Sequence, residues 1–354
     1  MSGNRRWKLV PGLFFCSVLL LVLTGCLQDI VPQILQEKEK TEVEGVLPSE
    51  AVESEKEPVK DVLPEGTLHF QAFFLEGNKK YLVPATIVIP WTEGVGKAAI
   101  KKLIEGPAPA QEMRFGLLPI LPPTTEVRGL TIRDGLARVD MSASFLEYDP
   151  GMEREVLDSV IFTLLQFPTV EEVEIIVEGT APGVFPGGTK GERFSANQRG
   201  INMEVAEGID DYGDTQQVIL YFCHVLGDNH VFYIPITRVV AGEKDPARAA
   251  VEELLQGPRR ESGLFSEIPS GTMLRGISRQ GDLIIVDFSR EILNYRGGLS
   301  GEEHLFRQIV FTMSAVPGVK KVQILLEGEA ITLPYGTSFQ EPVEVSSFLV
   351  NMLN

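Results

Sequence analysis

Hydrophobic and polar positions along the chain fall into short runs whose period changes from element to element. Residues 68–75 and 81–89 are β-branched and aromatic in character and are divided by Glu76-Gly77-Asn78-Lys79. Two such runs around a polar, glycine-bearing turn predict a β-hairpin. Residues 95–105 switch to helical spacing and stop at Gly106-Pro107, where glycine accepts a left-handed cap and proline forbids another turn. Strands over 126–132 and 136–142 follow, turning at Asp134-Gly135, a strong hairpin dipeptide. A second helix over 152–166 gathers Ile161, Phe162 and Leu165 on one apolar face and ends before Pro168. A last strand, 173–178, closes the unit.

The succession then begins again. Strands at 218–222 and 231–236 flank Gly227-Asp228-Asn229, and a helix covers 246–256. Asp245 is placed to cap that helix and Pro246 to occupy its first turn. Strands 273–278 and 282–288 turn at Gln280-Gly281, a helix over 301–315 carries Ile309, Phe311 and Met313, and strand 322–327 ends the series. The copies share words as well as rhythm. Leu103-Ile104-Glu105-Gly106-Pro107 returns as Leu254-Leu255-Gln256-Gly257-Pro258, and Val127-Arg128-Gly129-Leu130 returns as Leu274-Arg275-Gly276-Ile277. Val139-Asp140-Met141-Ser142 returns as Val286-Asp287-Phe288-Ser289, and Phe162-Thr163 as Phe311-Thr312. Glu178-Gly179 and Pro186-Gly187-Gly188-Thr189 return as Glu327-Gly328 and Pro334-Tyr335-Gly336-Thr337, all at offsets of 147 to 151. Such a repeat predicts two tandem homologous domains, 67–200 and 215–354, joined by a linker at 201–214. Each is expected to be α+β in the order ββαββαβ, a mixed sheet with two helices on one face.

The first residues follow another pattern. Arg5, Arg6 and Lys8 precede an apolar run from Leu9 to Leu23 that ends in Leu23-Thr24-Gly25-Cys26. This is the charged and apolar layout of a secretory signal, and its end resembles a bacterial lipobox. That resemblance implies a signal peptide over 1–25 and a diacylglyceryl group on Cys26. The run is too short for a membrane span of about 20 residues. Residues 26–66 alternate Glu and Lys, carry prolines and lack aromatic residues before Phe70, which predicts a disordered acidic tether. Forty residues of coil reach roughly 35 Å.

Composition narrows the function classes. The chain has 354 residues and a formal charge of -17. Losing residues 1–25 removes three bases and no acid, leaving -20. So acidic a body argues against a nucleic-acid partner and is repelled by anionic lipid. Of three cysteines, Cys16 belongs to the signal and Cys26 to the lipid, so Cys223 alone remains and no internal disulfide can form.

Candidate chemistry is sparse. Asp140 and Asp287 recur at strand ends with Ser142 and Ser289 two residues on, as a nucleophilic or cation site would need. No histidine recurs beside them to serve as base, so they read as Asx or Ser turns. Arg128 and Arg275 recur within strands, suited to pairing with a helix carboxylate or meeting a neighbouring subunit. Cys223-His224 with His230 is the one metal-like grouping. Adjacent strand residues face opposite ways, and Leu75-Glu76 stands in the equivalent place, so no metal is expected. His304, equivalent to Glu155, and His69 read as solvated. Residues 186–191 lack the spacing of a phosphate loop. No catalytic residue and no cofactor is expected.

The helix end L-[IL]-x-G-P, the Arg-Gly strand, the Val-Asp-x-Ser strand end, and the Glu-Gly and Pro-x-Gly-Thr turns, each present twice, resemble the GerMN domain. These domains are the repeated units of lipoproteins tied to sporulation and germination in endospore-forming bacteria. The resemblance covers essentially all of the chain beyond the signal. The first copy departs from it by about four extra residues near Pro119, Pro122 and Pro123. The resemblance implies a fold similar to ring-building modules of secretion systems. It also implies a non-enzymatic role on the outer face of the mother-cell membrane, assembling with another extracytoplasmic protein or with itself in a channel-like complex. Two other readings stay open: an envelope protein binding cell-wall glycan or peptide, and a cell-wall hydrolase. The first should show clustered aromatics, yet Trp91 is the single tryptophan beyond the signal. The second should show paired acids in a cleft.

Overall fold

Alternating apolar residues fold the opening hairpin as read: β1 (Thr67–Glu76) pairs antiparallel with β2 (Leu82–Pro90). Phe70, Ala72 and Phe74 enter the main core while Phe73 and Leu75 meet Phe162 in a smaller cluster, so this hairpin is buried on both faces. The computed structural model describes residues 60–209, 212–242 and 244–353. The expected signal peptide, Cys26 and the tether as far as residue 59 lie outside the described residues.

Helix α1 (Val95–Glu105) packs on β1, and a short helix α2 (Pro109–Phe115) leads to β3 (Leu117–Leu118), which pairs with the end of β1. β4 (Val127–Arg133) runs antiparallel to β5 (Leu136–Met141), with a bulge between Val127 and Gly129. α3 (Glu153–Leu165) then carries the chain over to β6 (Glu172–Val177), parallel to β5. The copy ends in α4 (Ala196–Arg199) and β7 (Glu204–Val205). The second copy repeats the plan with β8 (Thr215–Leu226), β9 (His230–Ala241), α5 (Pro246–Gln256), β10 (Leu274–Gln280), β11 (Leu283–Phe288), α6 (Gly298–Ser314) and β12 (Lys321–Leu326). β13 (Glu329–Ala330) and β14 (Val343–Glu344) flank β12. The architecture is α+β, and the strands of each copy divide between the long hairpin and a separate mixed sheet.

Several local signals act as the sequence implies. Asp245 accepts from the Ala247 and Arg248 amides with Pro246 in the first turn. Asp134-Gly135 turns with both φ angles positive. In the second copy the turn moves one residue, to Gly281-Asp282, because Gln280 still pairs with Leu283. The β8–β9 hairpin extends beyond the apolar runs, since polar ends such as Gln216 keep the ladder and Arg238 is buried between Glu204 and Glu253. Gly106 and Gly257 end their helices at φ 76, ψ -178 and φ 81, ψ -176. This is not the left-handed helical cap expected but a region open essentially to glycine alone.

The copies pack into one compact unit whose apolar core runs through both. Their union is reciprocal. Asn202, at the end of the first copy, bonds Leu82 N and O on β2 and reaches Pro235 O on β9, each at 2.8 to 2.9 Å. Asn351, at the end of the second, bonds Tyr233 N and O on β9 and reaches Pro84 O on β2 at 2.7 to 2.9 Å. Thr237 N takes Ile201 O while Thr86 N takes Val350 O. β7 runs parallel to β9, and Met352 forms a parallel bridge to Thr86. Each tail therefore lies along the other copy's hairpin. The segment expected to link the copies starts inside this packing, with Ile201 only 2% exposed. The chain ahead of β1 also docks on the second copy, although the tether was expected to run to residue 66. Asp61 pairs through both carboxylate oxygens with Arg307 at 3.0 and 3.1 Å and accepts from Leu349 N.

Candidate functional site

The repeated polar residues meet at one corner of each mixed sheet, where β5 or β11 stops. Asp140 Oδ1 accepts from Gly179 N, and Asp287 Oδ1 from Gly328 N, both at 2.9 Å. The glycines belong to tight turns in which Glu178 and Glu327 hold φ of 51° and 52°, an uncommon state for a non-glycine residue. The aspartates thus brace strained turns across the sheet and do not cap their own loops as an Asx turn would. Ser142 and Ser289 likewise reach a neighbour: their hydroxyls accept from Glu126 N and Met273 N at 2.9 Å. Arg128 pairs with Glu178 of the turn, not with a helix carboxylate. Arg275 lies 3.8 and 3.9 Å from Asp287 and Glu327. These arginines are about half exposed, so their pairs are weak.

A second repeated site escaped the sequence reading. Glu153 opens α3 and is buried, accepting from Thr189 N at 2.7 Å, from Gly187 N and from the Tyr148 hydroxyl. Glu302 is its counterpart, accepting from Tyr335 N and Thr337 N at 2.8 Å and from the Tyr295 hydroxyl. The Pro-x-Gly-Thr loops therefore do turn their amides on an anion, and that anion is the protein's own carboxylate. Burial pushes the Glu153 carboxyl up, but Thr189, Gly187 and Tyr148 more than offset it and hold it below the ordinary range. The signal available was the 149-residue offset of Glu153 and Glu302, the same as that of other repeats.

The histidines and Cys223 do not converge on a metal. Among the described residues no group of three or more His, Cys, Asp or Glu is placed to hold one. Cys223 is buried and its thiol is pushed up chiefly by burial, so it is a poor nucleophile. His224 Nδ1 meets Gly263 O at 3.2 Å, and His230 Nε2 meets Arg114 at 3.0 Å. His69 is exposed as expected. His304 is half-buried, not solvated, with Nδ1 2.7 Å from the Tyr233 hydroxyl, and burial lowers its pKa. Two counterpart cavities line the junction of the copies. One, of about 550 Å³, is bordered by Leu82, Glu155, Asp158 and Asn202. The other, of about 290 Å³, is bordered by Tyr233, His304, Arg307 and Asn351. On the wall of the larger, burial pushes Asp158 up to about 6 in spite of Arg199 and Arg154 beside it.

Known proteins share this duplicated arrangement. The spore germination protein GerM of Bacillus subtilis strain 168 is 29% identical over 280 residues, covering 76% of this chain and 75% of its own. The solved tandem GerMN domains of the sporulation protein GerM from Bacillus subtilis superpose with a TM-score of 0.71 at 27% identity, over 81% of this chain and 100% of that one. Residues 71–182 and 219–332 both match the family described as Germane, sporulation and spore germination. One matched segment lies within each of the two copies that the repeat marks out, and this chain belongs to the Germane family of sporulation and spore germination proteins.

Proposed function

We propose that the protein is a non-enzymatic, lipid-anchored scaffold on the outer face of the plasma membrane, joining an envelope-spanning complex during sporulation or germination. One observation carries this reading above others: the polar residues repeated in both copies are engaged in bracing turns and strand ends. Asp140 and Asp287 hold glycine amides, Ser142 and Ser289 hold strand starts, and Glu153 and Glu302 hold loops. What the duplication preserves is a shape, and a shape with its polar groups internally bonded offers neighbours a surface. The lipobox-like end at Cys26 supplies the mooring, and membership of a sporulation family supplies the setting.

Crosslinking in sporulating cells tests the scaffold directly: the wild-type chain should give discrete crosslinked species with an extracytoplasmic protein or with itself. Purified protein that cleaves peptidoglycan, with cleavage lost in an Asp140→Asn variant that still folds, would reverse the reading in favour of a hydrolase. For the mooring, Cys26→Ala should abolish labelling by a radioactive fatty acid and either release the chain or leave the precursor uncut. Unchanged labelling would remove the lipid anchor from the proposal.

A further inference from the structure

β1 and β8 are equivalent strands whose outer edges, away from β2 and β9, meet side chains from α3 and α6. Thr163 accepts from Phe73 N and Thr312 from Tyr221 N. Nearer the start of each strand the copies part. Gln71 gives its N–H to Gln166 Oε1 at 2.9 Å, and its carbonyl accepts from Gln166 Nε2 at 2.8 Å. A primary amide at the end of α3 thus meets the edge as the peptide group of a neighbouring strand would. At the end of α6, Gln166-Phe167 returns as Ala315-Val316. Ile219, the equivalent of Gln71, therefore faces a methyl group where Gln71 faces an amide.

The register fixes which way these groups point. Thr237, opposite Ile219, gives its N–H to Ile201 O on the far side of the hairpin. Tyr221 and Cys223 turn theirs outward, to Thr312 and to Phe265 O. Main-chain groups alternate in direction along an antiparallel strand, so Gln217 and Ile219 point outward as well. Neither main chain has a partner on that edge among the described residues. Gln217 is exposed and Ile219 partly so. A cavity of about 110 Å³ lies against the same stretch, bordered by Ile219, Ala250, Ala315 and Val316 and by Phe162 of the first copy. Phe167, the larger counterpart of Val316, packs against the core in the first copy.

We propose that the β8 edge at Gln217 and Ile219 receives an extended, uncharged segment of a partner protein as an added strand, with one small apolar side chain set into the adjoining cavity. An open strand edge is a template for pairing, and strand addition draws its affinity from main-chain hydrogen bonds and its selectivity from the pockets beside them. The Gln166 amide on Gln71 is the template within the chain for the incoming peptide group. The pairing is also continuous with one that the chain already makes, since Phe265 bridges Cys223 further along the same edge. Charge selects a different protein over a second copy: two bodies of -17 repel each other, while Gln216, Gln217, Val218 and Ile219 carry no charge. This inference rests on the scaffold reading, since it names the chemistry of one partner contact.

The test uses the purified full chain with a fluorescent, end-capped pentapeptide of alternating threonine and valine, beside the same peptide with every amide N-methylated. The first should bind saturably and slow hydrogen exchange at the Gln217 and Ile219 amides, and the methylated one should do neither. Ala315→Gln, which supplies the closure seen on Gln71, should weaken the peptide about tenfold, while Ala315→Ser, too short to reach, leaves binding unchanged. A peptide that fails to bind, that leaves Ile219 exchange unaltered in the wild type, or that binds Ala315→Gln as tightly as wild type overturns the seat. Isobutyramide competing as well as the peptide makes this a small-amide site and overturns the added strand. A doubled mass in sedimentation equilibrium that Ala315→Gln abolishes makes the occupant a second copy and overturns the partner assignment. Photo-crosslinking in sporulating cells separates this from the parent reading. Crosslinks from exposed Met113 that persist when those from position 217 are absent or indifferent to Ala315→Gln sink the seat and leave the scaffold standing. Absence of crosslinks from every surface position sinks both.

Discussion

Glu153 and Glu302 are buried against the habit of their type, each a carboxylate held by two loop amides and a tyrosine hydroxyl. Glutamine in their place would turn an NH₂ toward donors. Glu302→Gln should therefore lower stability by about 2 kcal/mol, read as a shift in the urea midpoint at unchanged slope. Tyr295→Phe, which deletes one donor and leaves the amides, should cost less than half of that. Asp158 is shifted in the opposite direction to Glu153. Burial raises its folded carboxyl to about 6, above the ordinary aspartate range, so the folded chain binds the proton more tightly than the unfolded one. Its contribution is fully present below the unfolded value and is lost as pH rises through about 6. Melting temperatures of wild type and Asp158→Asn measured from pH 4 to 7 should show wild type losing ground to the variant across that interval. Equal slopes would contradict the assignment. Little of this was legible in the sequence, because a glutamate opening a helix reads as an ordinary dipole partner and nothing local announces its burial.

At the level of elements the sequence was far more informative, and the reason is chemical. Glycine-proline ends, the Asp245 cap and the Asp134-Gly135 turn each name a backbone conformation that few other residues tolerate. Gly106 and Gly257 permit a controlled comparison. A Cβ on Gly257 would meet nothing within 4 Å, whereas one on Gly106 would meet Pro119 Cδ at 3.3 Å. Gly257→Ala should thus report backbone strain alone, about 1–3 kcal/mol. Gly106→Ala should cost more, with the excess falling when Pro119 is replaced by Ala. Equal costs by chemical denaturation would show that the proline contact yields freely. The sequence did not reveal that the strands of each copy divide into two sheets, since periodicity reports which face of a strand is buried and not which edge is paired. Thr163 and Thr312 illustrate the gap. They recur in the repeat beside Phe162 and Phe311 with no role read for them, yet their hydroxyls accept from Phe73 N and Tyr221 N on the hairpins.

Over the whole molecule the duplication reads as a pair of copies that complete each other. Asn202 and Asn351 were within reach of sequence reasoning, for Ile201-Asn202-Met203 returns as Val350-Asn351-Met352 at the familiar offset. Both lay beyond the last strand read in their copy, and Asn202 fell where a linker was expected. Replacing either by Ala strands main-chain groups of both hairpins, so each single change should cost about 2–3 kcal/mol. The copies should still unfold in one calorimetric transition, and two separated transitions in the wild type would refute mutual completion. Asp61 lay in the stretch expected to be tether, although Asp210 stands at the same 149-residue offset. Asp61→Ala leaves Arg307, 8% exposed, with Glu303 alone, and should cost about 3 kcal/mol, detected first as faster amide exchange around Leu349. Its position has a mechanical consequence. Tension arriving from ahead of residue 60 meets Arg307 of α6 and the C-terminal tail before it meets β1, through a two-pronged ion pair to the first and two amide links to the second. The front of the chain is thus fastened to the second copy through Asp61 and enters the first copy at β1, so a pull on it bears on both halves.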